Sequence, residues 1–338
     1  MRKETVKAVL GKAACMAFAV FAAFSMAACS DDGEGNGNND GGGSGGGSDG
    51  SVFETPRYES VAAKYSITDA NSPYASVELT ASGNYIIMTN GDVALAPGQA
   101  ATAGRLSVMS AGKGMPVTRY VHYSNILTGA FTQTGDNEYE LDGFGTLTVS
   151  QSGDSSYSLD IERINGATYS LRGNKAGTPD NGSMTNNLCR TWEIVGWRAY
   201  MRLGGQTLFD FSAPTVDELN AKLEAWGKEK DPDYTEGSYG LDFSNADGPQ
   251  QIVFTKSGTY MVTYADSRLA VSTWRWESQV VGRLQYSWDP SSFDASSLSG
   301  TATAYFRSGR LELTESESET DGGVTLEQGV TYTLQEVK

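Results

Sequence analysis

One histidine and three cysteines in 338 residues set the first limits on what this chain can do. His122, Cys15, Cys29 and Cys189 are too few for a zinc finger or any other His- or Cys-rich metal centre. A Ser-His-Asp mechanism would have a single residue available as its base. Positive charge is also scarce: 25 Lys and Arg stand against 41 Asp and Glu, a net charge of −16. Such a chain repels nucleic acid and anionic lipid surfaces, so neither is expected as a partner. No dinucleotide-binding or phosphate-loop glycine motif occurs, nor does a nucleophile elbow. The expectation is a protein without catalytic residues, cofactor or metal. At 39% apolar residues the chain can still build real cores, and its length suggests about two domains.

Glycine is abundant, with 40 residues unevenly placed. Ten lie between Gly33 and Gly50, in a stretch with no apolar side chain. Such a segment buries too little to offset its own ordering entropy. Residues 29–51 are therefore expected to be a disordered tether, with an r.m.s. reach of roughly 25 Å.

Ahead of it, Arg2, Lys3, Lys7 and Lys12 precede an uncharged apolar run, Ala13 to Ala28. A spanning helix needs about 20 such residues, so residues 1–28 fit a removable signal segment better than a permanent anchor. The ending Met26-Ala27-Ala28-Cys29 resembles a bacterial lipobox. That resemblance implies cleavage between Ala28 and Cys29 and acylation of Cys29. The following Ser30-Asp31-Asp32-Gly33-Glu34 resembles the acidic export signal of Bacteroidota surface lipoproteins. It implies an outer-membrane protein held by its N-terminal lipid and facing the cell exterior, with the periplasmic face as the alternative. With residues 1–28 removed and Cys29 lipidated, Cys189 is the one remaining thiol, so no disulfide forms within the chain. The cores must then suffice unaided. Cys189 is expected to be a buried small apolar residue rather than a nucleophile.

From Val52 onward, short alternating segments are separated by Gly, Ser, Asn and Asp turns, the pattern of all-β domains. Two hairpins share one pattern: Val77-Glu78-Leu79-Thr80 and Tyr85-Ile86-Ile87 around Gly83, and Ile252-Val253-Phe254-Thr255 and Tyr260-Met261-Val262 around Gly258. The glycine supplies the positive φ of a tight turn. Closing segments match as well, Thr168-Tyr169-Ser170-Leu171 against Thr331-Tyr332-Thr333-Leu334, and openings more loosely, Lys64-Tyr65-Ser66-Ile67 against Thr191-Trp192-Glu193-Ile194. A tandem duplication follows, with a first β domain over 52–172, a polar linker over 173–187 and a second β domain over 188–338. Along the strands Leu147 and Val149, and Tyr157, Leu159 and Ile161, alternate with polar residues. One apolar face per strand fits an antiparallel sheet, either closed into a meander barrel or stacked as a sandwich.

The second copy carries an insertion. Thr215 and Glu218 form a capping box, and Val216, Leu219, Leu223 and Trp226 share a helical face. Gly227 and Lys228 mark the expected helix end. One amphipathic helix packed on the β domain is expected. In its organisation the chain resembles Bacteroidota surface lipoproteins with lipocalin-like domains, the Cys189-Arg190-Thr191-Trp192 opening and the Thr331-Tyr332-Thr333-Leu334 closing carrying the resemblance. It implies a lipocalin-like barrel that binds a small ligand.

The candidate binding residues are aromatic. Trp274 and Trp276 are two apart, so they share one strand face, and Tyr286 and Trp288 repeat that spacing on the expected neighbouring strand. Trp192, Tyr260 and Tyr264 complete the set. Pointing inward, these rings fill a core or line a cavity for a small apolar or amphipathic ligand. Pointing outward, they form a platform on which a glycan stacks, or a surface for another protein. The run Glu315-Ser-Glu317-Ser-Glu319-Thr-Asp321 is expected to be a solvated loop at a hairpin tip. The segment Asp231–Gly237 lacks the spacing of a calcium loop, and His122 is expected to be a surface or packed strand residue.

Overall fold

The computed structural model describes residues 53–90, 125–178, 182–241, 243–287 and 300–337. Cys29, Ala28, Trp288 and His122 lie outside them.

The first domain runs β1 (Ala63–Ile67), β2 (Tyr74–Leu79), β3 (Asn84–Thr89), β4 (Ile126–Gly135), β5 (Glu138–Leu141), β6 (Gly145–Gln151), β7 (Ser156–Arg163) and β8 (Thr168–Lys175). Each strand pairs antiparallel with the next, and β1 with β8 closes a barrel. A short helix, α1 (Ser183–Leu188), stands in the stretch read from sequence as linker. The second domain continues β9 (Thr191–Leu203), β10 (Gln206–Ala213), α2 (Val216–Lys230), β11 (Pro249–Phe254), β12 (Thr259–Tyr264), β13 (Leu269–Ser278), β14 (Arg283–Ser287), β15 (Gly300–Arg307), β16 (Arg310–Asp321) and β17 (Val324–Glu336). Here β9 pairs with β17, from Trp192 with Glu336 to Leu203 with Leu326, which closes the second barrel. Both domains are meander barrels and not sandwiches.

The alternation of the strands supplies the one apolar face that closure encloses. In the first barrel Tyr65, Tyr74, Val77, Leu79, Tyr85 and Leu147 all point to one side and join one apolar cluster. Rolling the sheet buries that side entirely, at roughly 1.5–3 kcal/mol per large apolar side chain. The two matching hairpins turn as their glycines require, with φ of +87° at Gly83 and +85° at Gly258.

The second barrel departs from a plain meander at β9. Its first residues, Thr191 to Glu193, pair with β11, whereas Trp197 to Leu203 pair with β10 on that same edge. Strand β10 and helix α2 fill the gap so opened. Thr215 caps α2, its side chain accepting from the Glu218 amide, and Val216, Leu219 and Leu223 bury their side chains in the barrel cluster. The helix continues past Gly227 to Lys230. Gly227 is not a stop signal: a Cβ there would lie 2.3 Å from the Tyr239 ring, so the glycine makes room for that ring.

The barrels meet through their matching hairpins. Lys64 of the first repeat donates to Thr259 Oγ1 at 3.2 Å. Its counterpart in the second repeat, Thr191, donates its amide to Ser82 Oγ at 2.9 Å. Each repeat thus reaches the hairpin of the other, as partners do across a two-fold interface. Ile86, Met88 and Ile126, on the outer face of the first barrel, join the apolar cluster of the second.

Candidate functional site

Cross-strand register decides where the aromatic residues point. Trp274 pairs with Tyr286 and Trp276 with Leu284, while Tyr260 pairs with Ser272 and Phe254. This face continues through Ala304 and Leu313 to Tyr332, the inner wall of the barrel. Trp192, Tyr260, Tyr264, Trp274, Trp276 and Tyr286 all stand on it. Tyr260 packs against Phe254 at 4.9 Å and Tyr286 at 5.7 Å, and Trp274 lies edge-on to Phe254 at 5.6 Å and to Trp276 at 5.5 Å. The Tyr286 ring crosses to β15 over Gly300, where a Cβ would fall 2.4 Å from its hydroxyl.

At the end where β9 begins, the barrel is shut. The Trp192 indole donates to the Leu188 carbonyl at 2.8 Å, and that of Trp276 to Thr185 Oγ1 at 2.9 Å, so α1 is fastened beneath both rings. Phe53 arrives from ahead of the first barrel and meets Trp192 and Phe306 edge-on at 5.6 and 5.5 Å. Arg190 lies over Phe53, donates to the carbonyls of Glu54 and Asn187, and pairs with Glu336 at 2.6 Å. Cys189 is buried beside this closure, and desolvation pushes its thiol well above the ordinary range, as suits a packed and unreactive side chain.

Farther along, the inner wall changes chemistry. Strand β16 presents Leu311, Leu313, Glu315 and Glu317 in turn, opposite Leu334, Tyr332, Val330 and Gln328 of β17. Glu315 is buried, only 3% exposed, and Glu317 is half-buried. The acidic run is therefore not a solvated loop. Its alternation sends Glu315 inside, because the strand continues the period of Leu311 and Leu313 without a break. Burial raises the Glu315 carboxyl to about 8, although a hydrogen bond from Tyr286 partly opposes the shift. The hydroxyls of Tyr260, Tyr286 and Tyr332 are raised well above their usual value, by burial first and by Glu315 next. Among the described residues Glu315 Oε2 has no hydrogen-bond partner.

Elsewhere an open groove of about 440 Å³ on the outer wall is lined by Arg198, Ser212, Arg310, Glu312, Thr331 and Thr333. Among the described residues no group of three His, Cys, Asp and Glu side chains is arranged to hold a metal ion, and no helix is long and apolar enough to cross a membrane.

The second barrel is thus closed and aromatic at one end and carries a buried acid and tyrosine hydroxyls farther along its inner wall. Compared with protein-family models, curated proteins and solved structures, the chain shows no match.

Proposed function

We propose that this chain is an outer-membrane lipoprotein, acylated on Cys29 and facing the cell exterior, whose second barrel binds a small amphipathic ligand without catalysis. The observation that carries this proposal is the inner wall of the second barrel, apolar and aromatic at its shut end and polar at Glu315, Glu317 and Gln328. Such a wall complements a molecule with an apolar body and a polar head, the usual balance of a small-ligand site. The anchor rests on the lipobox and the acidic signal that follows it, and the surface location on the latter.

A glycan platform would need Trp274 and Trp276 on the outer face. Their place on the inner wall, with Trp274 only 4% exposed, favours the ligand-binding alternative.

Two measurements test the proposal. Metabolic labelling with a radioactive fatty acid should mark the wild-type chain and not Cys29→Ala, and surface proteolysis of intact cells should remove the barrels. Titration of the soluble barrels with short amphiphiles should change tryptophan fluorescence saturably. Absence of label on the wild type would remove the anchor, and an unresponsive fluorescence would remove the binding function.

A further inference from the structure

Glu315 is the least expected side chain in the second barrel. An ionisable group taken out of water costs several kcal/mol unless it is fully partnered. Here one carboxylate oxygen is engaged by Tyr286, and Oε2 has no partner among the described residues. Around it stand tyrosine hydroxyls from three strands, those of Tyr260 of β12, Tyr286 of β14 and Tyr332 of β17. On its own strand Glu317 follows at the next inward position and is bonded by Gln328. The small buried Ala304 of β15 stands opposite Leu313, the inward position before Glu315.

A carboxylate among tyrosine hydroxyls is a cation-selective arrangement. The acid supplies a charge-assisted acceptor for an ammonium donor, and its Oε2 is the oxygen left open to it. The strongly acidic chain adds long-range attraction for positive charge. We propose that Glu315 anchors the protonated amine of an amphipathic ligand, with the apolar body of that ligand toward the aromatic, closed part of the barrel. This rests on the ligand-binding function proposed above and specifies its ligand class as amines.

Binding has a proton balance. At pH 7 the empty site holds Glu315 mostly as the neutral acid, since burial raises it to about 8. An arriving ammonium stabilises the carboxylate, so the carboxyl proton passes to solvent and an ion pair forms. The tyrosine hydroxyls, all raised, keep their protons throughout.

The test uses the soluble barrels with octylamine, octanol and octanoate, followed by tryptophan fluorescence and by calorimetry at pH 7 in buffers of different ionisation heat. The amine should bind about tenfold or more tighter than the alcohol and the acid, the size expected for a charged hydrogen bond. Its binding heat should vary with buffer, which reports the released proton on the wild-type protein. Glu315→Gln, nearly the same shape, should lose that preference and that buffer dependence while still binding octanol. Equal binding of amine and alcohol, or an amine affinity unchanged in Glu315→Gln, would overturn the amine anchor and leave the ligand-binding function standing. Failure of all three amphiphiles would remove both.

Discussion

The Glu78 carboxylate of the first barrel accepts a hydrogen bond from Thr259 Oγ1 of the second at 2.6 Å, and Ser257 donates to the same carboxylate. Glu78 is 2% exposed, so the two barrels share a buried acid at their seam. Lys64 reaches the same Thr259, and Glu59 pairs with Lys256 close by.

Truncating Glu78 leaves the buried Thr259 hydroxyl without its acceptor, which costs about 1–3 kcal/mol. Glu78→Ala and Thr259→Val should each lower the denaturation midpoint. The double variant should lose less than the sum of the two, as measured by a double-mutant cycle in urea. Strict additivity would mean that the contact contributes nothing across the seam.

Glu315 makes stability depend on pH. Its folded value, about 8, lies above the ordinary 4.5, so between those limits the folded chain holds a proton that the unfolded chain has released. That contribution is fully present below pH 4.5 and is lost as pH rises toward 8. Thermal denaturation of the wild type and Glu315→Gln across this range should show the variant gaining on the wild type as pH rises. A constant difference would contradict the raised carboxyl.

Arg190 ties the closed end together through Phe53, Glu54, Asn187 and Glu336. Its side chain is 2% exposed and that of Glu336 is 21% exposed. Arg190→Ala removes the donors and the cation over the Phe53 ring, at a cost on the order of 3 kcal/mol. Equilibrium unfolding should show the loss, and Phe53→Ala should reproduce part of it, since both act on one closure.

Gly300 and Tyr286 form a matched pair. Adding a Cβ at Gly300 drives the Tyr286 ring aside, and overpacking of this kind costs about 1–3 kcal/mol. Gly300→Ala should therefore lower the melting temperature of the wild type but have little effect in a Tyr286→Ala background. Equal losses in both backgrounds would place the cost in the backbone instead.

Much of this architecture is legible in the residues. Gly83 and Gly258 mark equivalent turns because a positive φ excludes most side chains. The repeated alternation gives antiparallel sheets with one apolar face, which the β1–β8 and β9–β17 pairings close into barrels rather than sandwiches. For Trp274 and Trp276 the spacing of two establishes a shared face but not which face, since period alone is indifferent to inside and outside. Register against Ala304, Leu313 and Tyr332 supplies the answer. Composition hides Glu315: three glutamates separated by single serines and followed by Asp321 look like solvent. The signal present was the unbroken alternation from Leu311 and Leu313. The seam between the barrels left a fainter trace. Val253, Met261 and Val271 are apolar on the outward side of β11, β12 and β13, so these strands are buried on both faces.

The β9–β17 pairing sets an order on folding. Its partners lie far apart along the chain, Trp192 with Glu336 and Leu203 with Leu326, and long-range pairings of this kind form slowly. The first barrel needs nothing beyond Lys175 to complete its ring of strands, so it can close while the rest is still being made. The second must wait for its last strand, with β9 and β16 each holding an open edge until β17 fills the place between them. During that interval the finished barrel, with its Ser82 hydroxyl and its outward Ile86 and Ile126, is the one preformed surface on which β9 and β11 can begin to assemble.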